Sequence, residues 1–293
     1  MGFVSNLLFH LSKNRLVHSS PGDVGCNPAG FTPPAYRQWR DLDLRSQFVA
    51  NFEPAELSNL DVLDFGCGEG GLSFLVATMG ARSVTGIDLD APRIQSALTR
   101  LQDMTASCPI KFLVASGSKV IDLPDASVDL ILCFDVLEHI LDYREVILEW
   151  HRVLRSKGRI FIWWVPWFHP YGHHIHPLVP LPWVHALFPE KTLVDVCARI
   201  YDWPAFKPRI WDMDEKGAKL PNKWRNMQAL PDVNRLTISR FERVCRESGL
   251  KIEERKTSGF RGAPLASFTQ ALSQVPWLQE FFCSQVVYKI RKD

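Results

Sequence analysis

Residues Val62–Ser73 read VLDFGCGEGGLS, and this stretch decides the fold class of the chain. Gly66, Gly68 and Gly70 stand between an apolar run and a helical pattern. Glycines at such a turn let the backbone bend tightly and come close to a ligand, while the first N–H groups of the following helix stay unpaired. Asp88 ends the next apolar run about 20 residues on, where a carboxylate can accept hydrogen bonds from ribose hydroxyls. The stretch therefore predicts a nucleotide-binding loop between a strand and a helix.

Apolar runs and helical patterns alternate from residue 61 onward. The predicted strands are Asp61–Phe65, Ser83–Asp88, Ile110–Val114, Val128–Phe134, Arg159–Trp164, Leu250–Arg255 and Phe282–Ile290. The predicted helices are Leu72–Met79, Arg93–Leu101, Tyr143–Arg155 and Thr237–Ser248. Continuous apolar strands separated by helices are typical of parallel βαβ units whose sheet is covered on both faces. We therefore expect an α/β protein that binds its ligand at the carboxyl ends of the strands.

Residues 1–50 are predicted to be a helix followed by a covering segment. Apolar residues at helical spacing favour a helix over Met1–Val17, and a Pro/Gly-rich stretch follows at Pro21–Pro34. The apolar positions are Phe3, Leu7, Leu8 and Leu11. We expect this helix to cover the main domain. The alternative is a helix that binds a membrane surface or a partner protein, for which Lys13 and Arg15 supply positive charge.

Residues 51–293 are expected to form one domain with an insertion at about 166–232. The inserted segment is rich in Pro, His and Trp and lacks a clear strand or helix period, apart from a predicted helix at Leu178–Thr192. It follows the fifth predicted strand, so it would overhang the carboxyl edge of the sheet. We therefore predict an irregular lid over the substrate site.

The composition excludes several classes of protein. Apolar residues make up 46% and charged residues 23% of the 293 residues, which excludes a disordered or fibrous chain. The net charge of +2 offers no basic field, so no nucleic-acid partner is expected. No apolar run approaches the roughly 18–20 residues that span a bilayer. Seven cysteines without a CxxC pair favour reduced thiols and a cytoplasmic location.

The glycine loop alone leaves the cofactor open. Gly66, Gly68 and Gly71 also satisfy the dinucleotide pattern G-x-G-x-x-G. Asp64 near the end of the first strand would repel a pyrophosphate, but it suits a cationic ligand. The chain also leaves no separate catalytic domain for hydride transfer. Both observations favour a cationic cofactor over a nicotinamide or a flavin.

Four segments, in order along the chain, resemble the class I S-adenosylmethionine-dependent methyltransferases. They are Asp64–Gly70 (DFGCGEG), Thr85–Asp90 (TGIDLD), Leu123–Ile140 (LPDASVDLILCFDVLEHI) and Leu154–Ile162 (LRSKGRIFI). The branch they resemble is the type 11 group, which includes quinone-biosynthesis enzymes. The resemblance implies a seven-stranded Rossmann-like sheet whose last strand, Phe282–Ile290, is antiparallel. It also implies S-adenosylmethionine as the cofactor.

The resemblance assigns the methionine end of the cofactor to residues of the first and fourth strands. The positions that match the methionine-binding loop are Asp64, Gly66, Cys67 and Gly68. Phe134 and Asp135, at the end of the fourth strand, match positions beside the sulfonium and the amino group.

The adenosine end is assigned to residues after the second and third strands. Asp88 matches the ribose-binding acid, and Leu89 matches the residue that packs on the adenine. The family usually carries an Asp after the third strand that contacts the adenine amine. This chain has Ala115-Ser116 there, so Ser116 is the candidate for that hydrogen bond.

Histidines are the candidates for a catalytic base, because methyl transfer often requires the removal of one proton. His139 lies in the motif VLEHI, where it either removes the proton or orders the loop together with Glu138. Within the insertion, the stretch Pro166–His176 (PWFHPYGHHIH) offers several groups that titrate near neutral pH, and His173 and His174 are the preferred candidates. No carboxylate lies near these histidines, so no metal site is expected.

The sequence thus predicts a methyltransferase in small-molecule biosynthesis, with oxygen as the preferred acceptor atom and nitrogen or carbon as alternatives. A second hypothesis keeps the fold but uses the sulfonium for other chemistry, such as promoting a cyclisation. A third is a cofactor-binding protein that assists a partner without catalysis. The small-molecule acceptor itself is not identified by any residue.

Overall fold

The computed structural model describes residues 2–18, 33–214, 216–230, 233–260 and 266–293. Of the Pro/Gly-rich stretch predicted at Pro21–Pro34, residues 21–32 lie outside the described residues. The chain divides into two compact units. The sheet unit comprises Arg40–Pro166 and Asn234–Asp293, and the insertion unit comprises Met1–Trp39 and Trp167–Val233.

The sheet unit is built on a seven-stranded sheet, counted over the described residues. Its strands are β1 (Asp61–Phe65), β2 (Ser83–Asp88), β3 (Ile110–Val114), β4 (Val128–Phe134), β5 (Leu154–Trp164), β6 (Leu250–Ser258) and β7 (Gln285–Lys292). They are ordered β3-β2-β1-β4-β5-β7-β6. β7 is antiparallel to β5 and β6, and the neighbours among β1–β5 are parallel. The predicted fold class and the antiparallel last strand are therefore confirmed.

Hydrophobic clusters cover both faces of this sheet. Successive residues of β4 point to opposite faces, so Leu130 and Leu132 pack in one cluster while Ile131 and Cys133 pack in the other. The helices of the unit are α3 (Gly71–Thr78), α4 (Ala91–Gln102), α5 (Tyr143–Val153), α8 (Ile238–Glu247), α9 (Ala266–Leu272) and α10 (Gln279–Phe282). Because both faces are buried, the strands read as continuous apolar runs.

The bounds of β1–β4 agree with the sequence prediction, whereas other elements differ from it; β5, for example, begins at Leu154 and not at Arg159. The last strand was predicted to begin at Phe282, but Phe282 is the final residue of α10 and the strand begins at Gln285. A helix that the sequence pattern did not predict, α2 (Pro33–Asn51), carries residues from Arg40 onward into the sheet unit. Phe48 is the buried residue of α2.

The insertion unit has its own hydrophobic core. Its helices are α1 (Phe3–His18), α6 (Val184–Leu187) and α7 (Glu190–Asp202). Buried residues of the unit, among them Leu8, Leu193, Val196 and Ile200, form one cluster. The prediction of one helix over Leu178–Thr192 is wrong in its extent. Four central residues of this range form α6, and the longer helix α7 begins at Glu190. No described helix combines the length and the apolar character needed to cross a bilayer.

Candidate functional site

The glycine-rich turn after β1 is fastened to the carboxyl end of β2. The N–H groups of Gly66 and Cys67 both donate to the Ile87 carbonyl, at 2.8 and 3.1 Å. The Gly68 N–H donates to Oδ2 of Asp88 at 2.8 Å, and Oδ1 of Asp88 accepts from the Asp90 N–H at 2.9 Å. A carboxylate accepts up to about four hydrogen bonds, so a half-buried Asp88 keeps acceptor capacity for a ligand hydroxyl.

The backbone of this turn adopts conformations that favour glycine. Gly66, Gly68 and Gly70 have φ of +75°, +54° and +81°. A Cβ at Gly66 would lie 2.5 Å from the Val136 side chain, so a larger residue does not fit there. Within the described part of the chain, a Cβ at Gly68 would have only the Arg93 guanidinium within 4 Å, at 3.9 Å. The backbone at Gly68 therefore faces open space in which a ligand can approach it closely.

Asp64 lies beneath the turn and not on its surface. Its side chain is 2% exposed, and Oδ2 accepts a hydrogen bond from the Ser73 hydroxyl of α3 at 2.6 Å. Burial, with a smaller contribution from the charge of Asp88, raises the pKa of Asp64 to about 7. A cationic group bound nearby would favour the ionised form of this carboxylate, and the role of Asp64 toward the cofactor stays a prediction.

The other predicted residues of the adenosine end lie at the ends of β2 and β3. Leu89 follows β2 with its side chain 58% exposed, as an apolar surface for a planar ring requires. The Ala115 N–H donates to the Asp88 carbonyl at 2.9 Å, which brings Ser116 beside the end of β2. Ser116 is exposed, and its N–H donates to Oδ2 of Asp122 at 3.3 Å. Cys67, by contrast, is buried in a cluster with Phe74 and Phe112.

The end of β4 carries an aromatic residue and two acids. Phe134 is buried against Phe48 and Phe52, with ring centroids 5.8 and 5.5 Å away. Asp135 has φ of +58° and forms an ion pair of 2.8 Å with Arg40 of α2. Phe134 therefore faces the core, while Asp135 is the half-exposed group at this strand end.

Glu138 and His139 occupy the short 3-10 turn Leu137–His139 that follows. Burial and the neighbouring Asp135 carboxylate raise the pKa of Glu138 well above its ordinary range. Asn234 clamps this turn, because its side-chain amide donates to the carbonyls of Leu137 and Ile140 at 2.6 and 2.8 Å. His139 is exposed at the end of the turn.

Two positioning residues were missed by the sequence analysis. Arg100 of α4 donates to the Glu69 carbonyl of the glycine turn at 2.7 Å and to the Asp41 carboxylate of α2 at 2.5 Å. Its guanidinium also lies 4.8 Å from the centroid of the Phe74 ring. Arg100 and Asp41 are distant in sequence and belong to no motif, so only the folded structure brings them together.

The histidines of the insertion unit differ in which ring nitrogen is basic. Nδ1 of His173 accepts from the Ile175 N–H at 3.1 Å, so the proton of the neutral ring is on Nε2. Burial lowers the pKa of His173 well below its usual range. Nε2 of His185 contacts the Trp167 carbonyl at 2.7 Å and must donate to it, which leaves Nδ1 as its basic nitrogen. His174 is half-buried and has φ of +56°.

Comparison with known proteins identifies the central part of the sheet unit. Residues 63–162 match a family described as a methyltransferase domain. This segment, about a third of the chain, is therefore similar to the methyltransferase domains of that family. It contains the glycine turn, Asp88 and the end of β4. The predicted resemblance is thus confirmed at the level of the domain.

Two curated relatives of this chain are methyltransferases by name. A probable S-adenosylmethionine-dependent methyltransferase of Mycobacterium tuberculosis is 30% identical over 159 residues, which are 52% of this chain and 55% of that protein. A ubiquinone biosynthesis O-methyltransferase of Pseudomonas aeruginosa is 34% identical over 111 residues, which are 38% of this chain and 46% of that protein. The chain thus spans about half the length of the curated relatives it matches. Both names agree with the predicted enzyme class, and the name of the Mycobacterium tuberculosis protein agrees with the predicted cofactor.

A solved structure shows the same fold over most of the chain. Geranyl diphosphate methyltransferase in complex with S-adenosylmethionine aligns with a TM-score of 0.52 at 13% identity. The alignment covers 89% of this chain and 88% of that one. At this identity the likeness concerns the fold alone.

Proposed function

We propose that the chain is an S-adenosylmethionine-dependent methyltransferase that methylates an oxygen atom of a small-molecule acceptor. The observation that carries this proposal is the bond from the Gly68 N–H to Asp88, which fixes a carboxylate at the end of β2 beside an open glycine backbone. The cofactor needs hydrogen-bond acceptors for its ribose hydroxyls, a glycine backbone that it can approach closely, and an acid for its positive charge. The Asp88 carboxylate, the glycine turn and Asp64 offer these three features. The residues present therefore fit the cofactor.

Each residue of the site has a distinct role in holding the cofactor. Asp88 would accept hydrogen bonds from the ribose, Leu89 would cover the adenine, and Ser116 would bond its edge. Asp64 and Asp135 supply the negative charge for the methionine end, with Asp64 acting from beneath the turn. S-adenosylmethionine, when bound, supplies an electrophilic methyl group on a neutral leaving group. Alignment and exclusion of water then account for most of the rate.

Oxygen is the proposed acceptor atom because a relative is named an O-methyltransferase. A hydroxyl must lose its proton during transfer, so a base contributes about 10²–10⁴-fold. We propose the insertion at about 166–232 as the acceptor-binding lid and His174 as the proton acceptor. His173 is less suited to this role, since the backbone N–H of Ile175 occupies its basic nitrogen. His139 would order the turn that follows β4.

The cytoplasm is the proposed site of action. Six cysteines among the described residues are free, and five of them are buried. Free thiols persist where glutathione and thioredoxin keep the compartment reducing.

Methyl-labelled S-adenosylmethionine and a panel of phenols, carboxylic acids and amines test the proposed reaction. We expect S-adenosylhomocysteine to form only with hydroxyl-bearing acceptors, and the label to appear on oxygen by mass spectrometry. Label on nitrogen or carbon would refute oxygen transfer. A cyclised but unlabelled product would instead support the hypothesis of non-methyl chemistry.

Replacement of the histidines tests the proton acceptor. His174→Gln is expected to lower kcat by about 10²-fold or more at unchanged cofactor affinity. The exposed His10 of α1 provides the control variant His10→Gln, which should keep full activity. A large loss of kcat in His139→Gln or His173→Gln, with His174→Gln unaffected, would contradict the assignment.

A further inference from the structure

Helix α1 (Phe3–His18) has apolar residues on two opposite faces. Ideal helical geometry places successive residues 100° apart, so Phe3, Leu7 and Leu11 form one stripe. Leu8 and Phe9 lie on the other side of the helix, with Ser5 and Ser12. A helix of this kind needs two apolar environments, one for each face.

The inner face of α1 already has its environment. Leu8 is buried in the core of the insertion unit with Val196 and Ile200 of α7. Ser5 and Ser12 are buried, and small side chains at these positions let the two helices approach closely. The Ser5 hydroxyl donates to Asp195 of α7 and accepts from Arg199 at 3.3 Å. This face accounts for the attachment of α1 to its unit.

The outer face of α1 is exposed in spite of its apolar character. Phe3 is 82% exposed, and Val4, Leu7 and Leu11 are 41%, 47% and 45% exposed. Arg15 follows Leu11 by one turn on the same side and is exposed as well. Single exposed apolar residues need no explanation, but four on one side of one helix mark an interaction surface.

We propose that the outer face of α1 binds the surface of a membrane that contains anionic lipid. The charge of α1 carries this choice of partner, because Lys13 and Arg15 are its charged residues and it contains no Asp or Glu. Lys and Arg residues near an anionic surface favour binding, and the apolar stripe would enter the boundary between headgroups and acyl chains. The helix lies on the membrane and does not cross it.

A second copy of the chain fits this face less well. Stable protein interfaces use about 20–30 residues on each side, whereas the outer face of α1 offers four apolar side chains. A membrane accepts a small stripe because its binding grows with each apolar side chain that enters it. Nζ of Lys13 lies 5.2 Å from the centroid of the Trp203 ring, so Arg15 is the cation on the outer side. Binding by four apolar side chains and one cation would be reversible, so the protein would exchange between membrane and solution.

Vesicle co-sedimentation of the full chain tests the proposal. The probes are vesicles of phosphatidylcholine with and without phosphatidylglycerol. The test variant carries Leu7→Glu and Leu11→Glu, and the control carries Leu187→Glu, another exposed leucine of the same unit. Arg15→Gln tests the electrostatic part. Circular dichroism and the thermal midpoint establish that each variant is folded.

The expected result is binding to the anionic vesicles that weakens as salt is added. The double variant should bind at least about tenfold more weakly, Arg15→Gln should bind measurably more weakly, and Leu187→Glu should bind like the unchanged protein. Failure of the unchanged protein to bind anionic vesicles, or equal binding by the double variant, would overturn the proposal. A concentration-dependent dimer that the double variant abolishes would overturn it in favour of a second copy.

Discussion

The Asp64 carboxylate illustrates how one buried group connects stability to the site. The side chain is enclosed beneath the glycine turn and bonded to Ser73. The free energy of burying its charge raises its pKa from 3.8 to about 7. Its position near the end of β1 could be predicted from the sequence. Its complete burial could not be predicted, because it depends on α3 and Ser73 closing over it.

Asp64 should make stability fall as pH rises toward neutrality. Between about pH 4 and pH 7 the folded protein holds the Asp64 proton while the unfolded chain releases it, so the free energy of unfolding decreases with pH in this window. Asp64→Asn removes the titrating group and keeps an oxygen for Ser73. We expect the slope of the thermal midpoint against pH to flatten in this variant. Asp103→Asn, an exposed aspartate, is the control. An unchanged slope in Asp64→Asn would contradict the raised pKa.

Gly66 should tolerate no side chain, for two separable reasons. Gly66→Ala introduces both a strained φ of +75° and a clash with Val136. Gly80→Ala introduces a comparable strain at φ of +98° with nothing within 4 Å of its Cβ. Strain alone costs about 1–3 kcal/mol, so Gly66→Ala should lose more stability than Gly80→Ala in urea unfolding. Val136→Ala should restore part of the difference. Equal losses in the two glycine variants would show that the clash has no effect.

At the scale of elements, the strands were easier to predict than the helices. β1, β2, β3 and β4 have the predicted bounds, because burial on both faces makes each strand a continuous apolar run. α7 does carry a helical period through Leu193, Val196 and Ile200, but the Pro, His and Trp residues around it favoured an irregular segment. α2 was not predicted from the sequence. Its contacts with the site are the ion pairs Arg40–Asp135 and Asp41–Arg100, which belong to no motif.

Arg100 should couple these elements to cofactor binding. Arg100→Ala removes its bonds to Glu69 and Asp41, which hold the glycine turn between α4 and α2. Charge-assisted hydrogen bonds contribute about 1.5–3 kcal/mol, so we expect S-adenosylmethionine to bind roughly tenfold more weakly by calorimetry. The matched control is Arg144→Ala, whose exposed partner Glu247 lies away from the turn. Unchanged affinity in Arg100→Ala would mean that the turn keeps its shape without this residue.

At the scale of the whole molecule, the chain divides into two compact units, whereas the sequence predicted one domain with an irregular insertion. The sheet unit holds every predicted cofactor residue from Asp64 to Asp135, whereas His173 and His174 belong to the insertion unit. The order of the motifs predicted that the cofactor residues lie together, because the carboxyl ends of parallel strands meet at one edge of the sheet. The contacts that shape the second group, such as the Ile175 N–H on His173, follow no motif and could not be predicted from sequence.

Calorimetric titration of the full chain with S-adenosylmethionine, S-adenosylhomocysteine and NADH tests the central claim most directly. We predict micromolar binding of the first two ligands, loss of that binding in Asp88→Ala, retention of it in Asp103→Ala, and no binding of NADH. The reason is that Asp88 accepts from the Gly68 N–H and, in the proposed complex, would also accept from the ribose hydroxyls. Binding that survives Asp88→Ala, or a preference for NADH, would contradict the account.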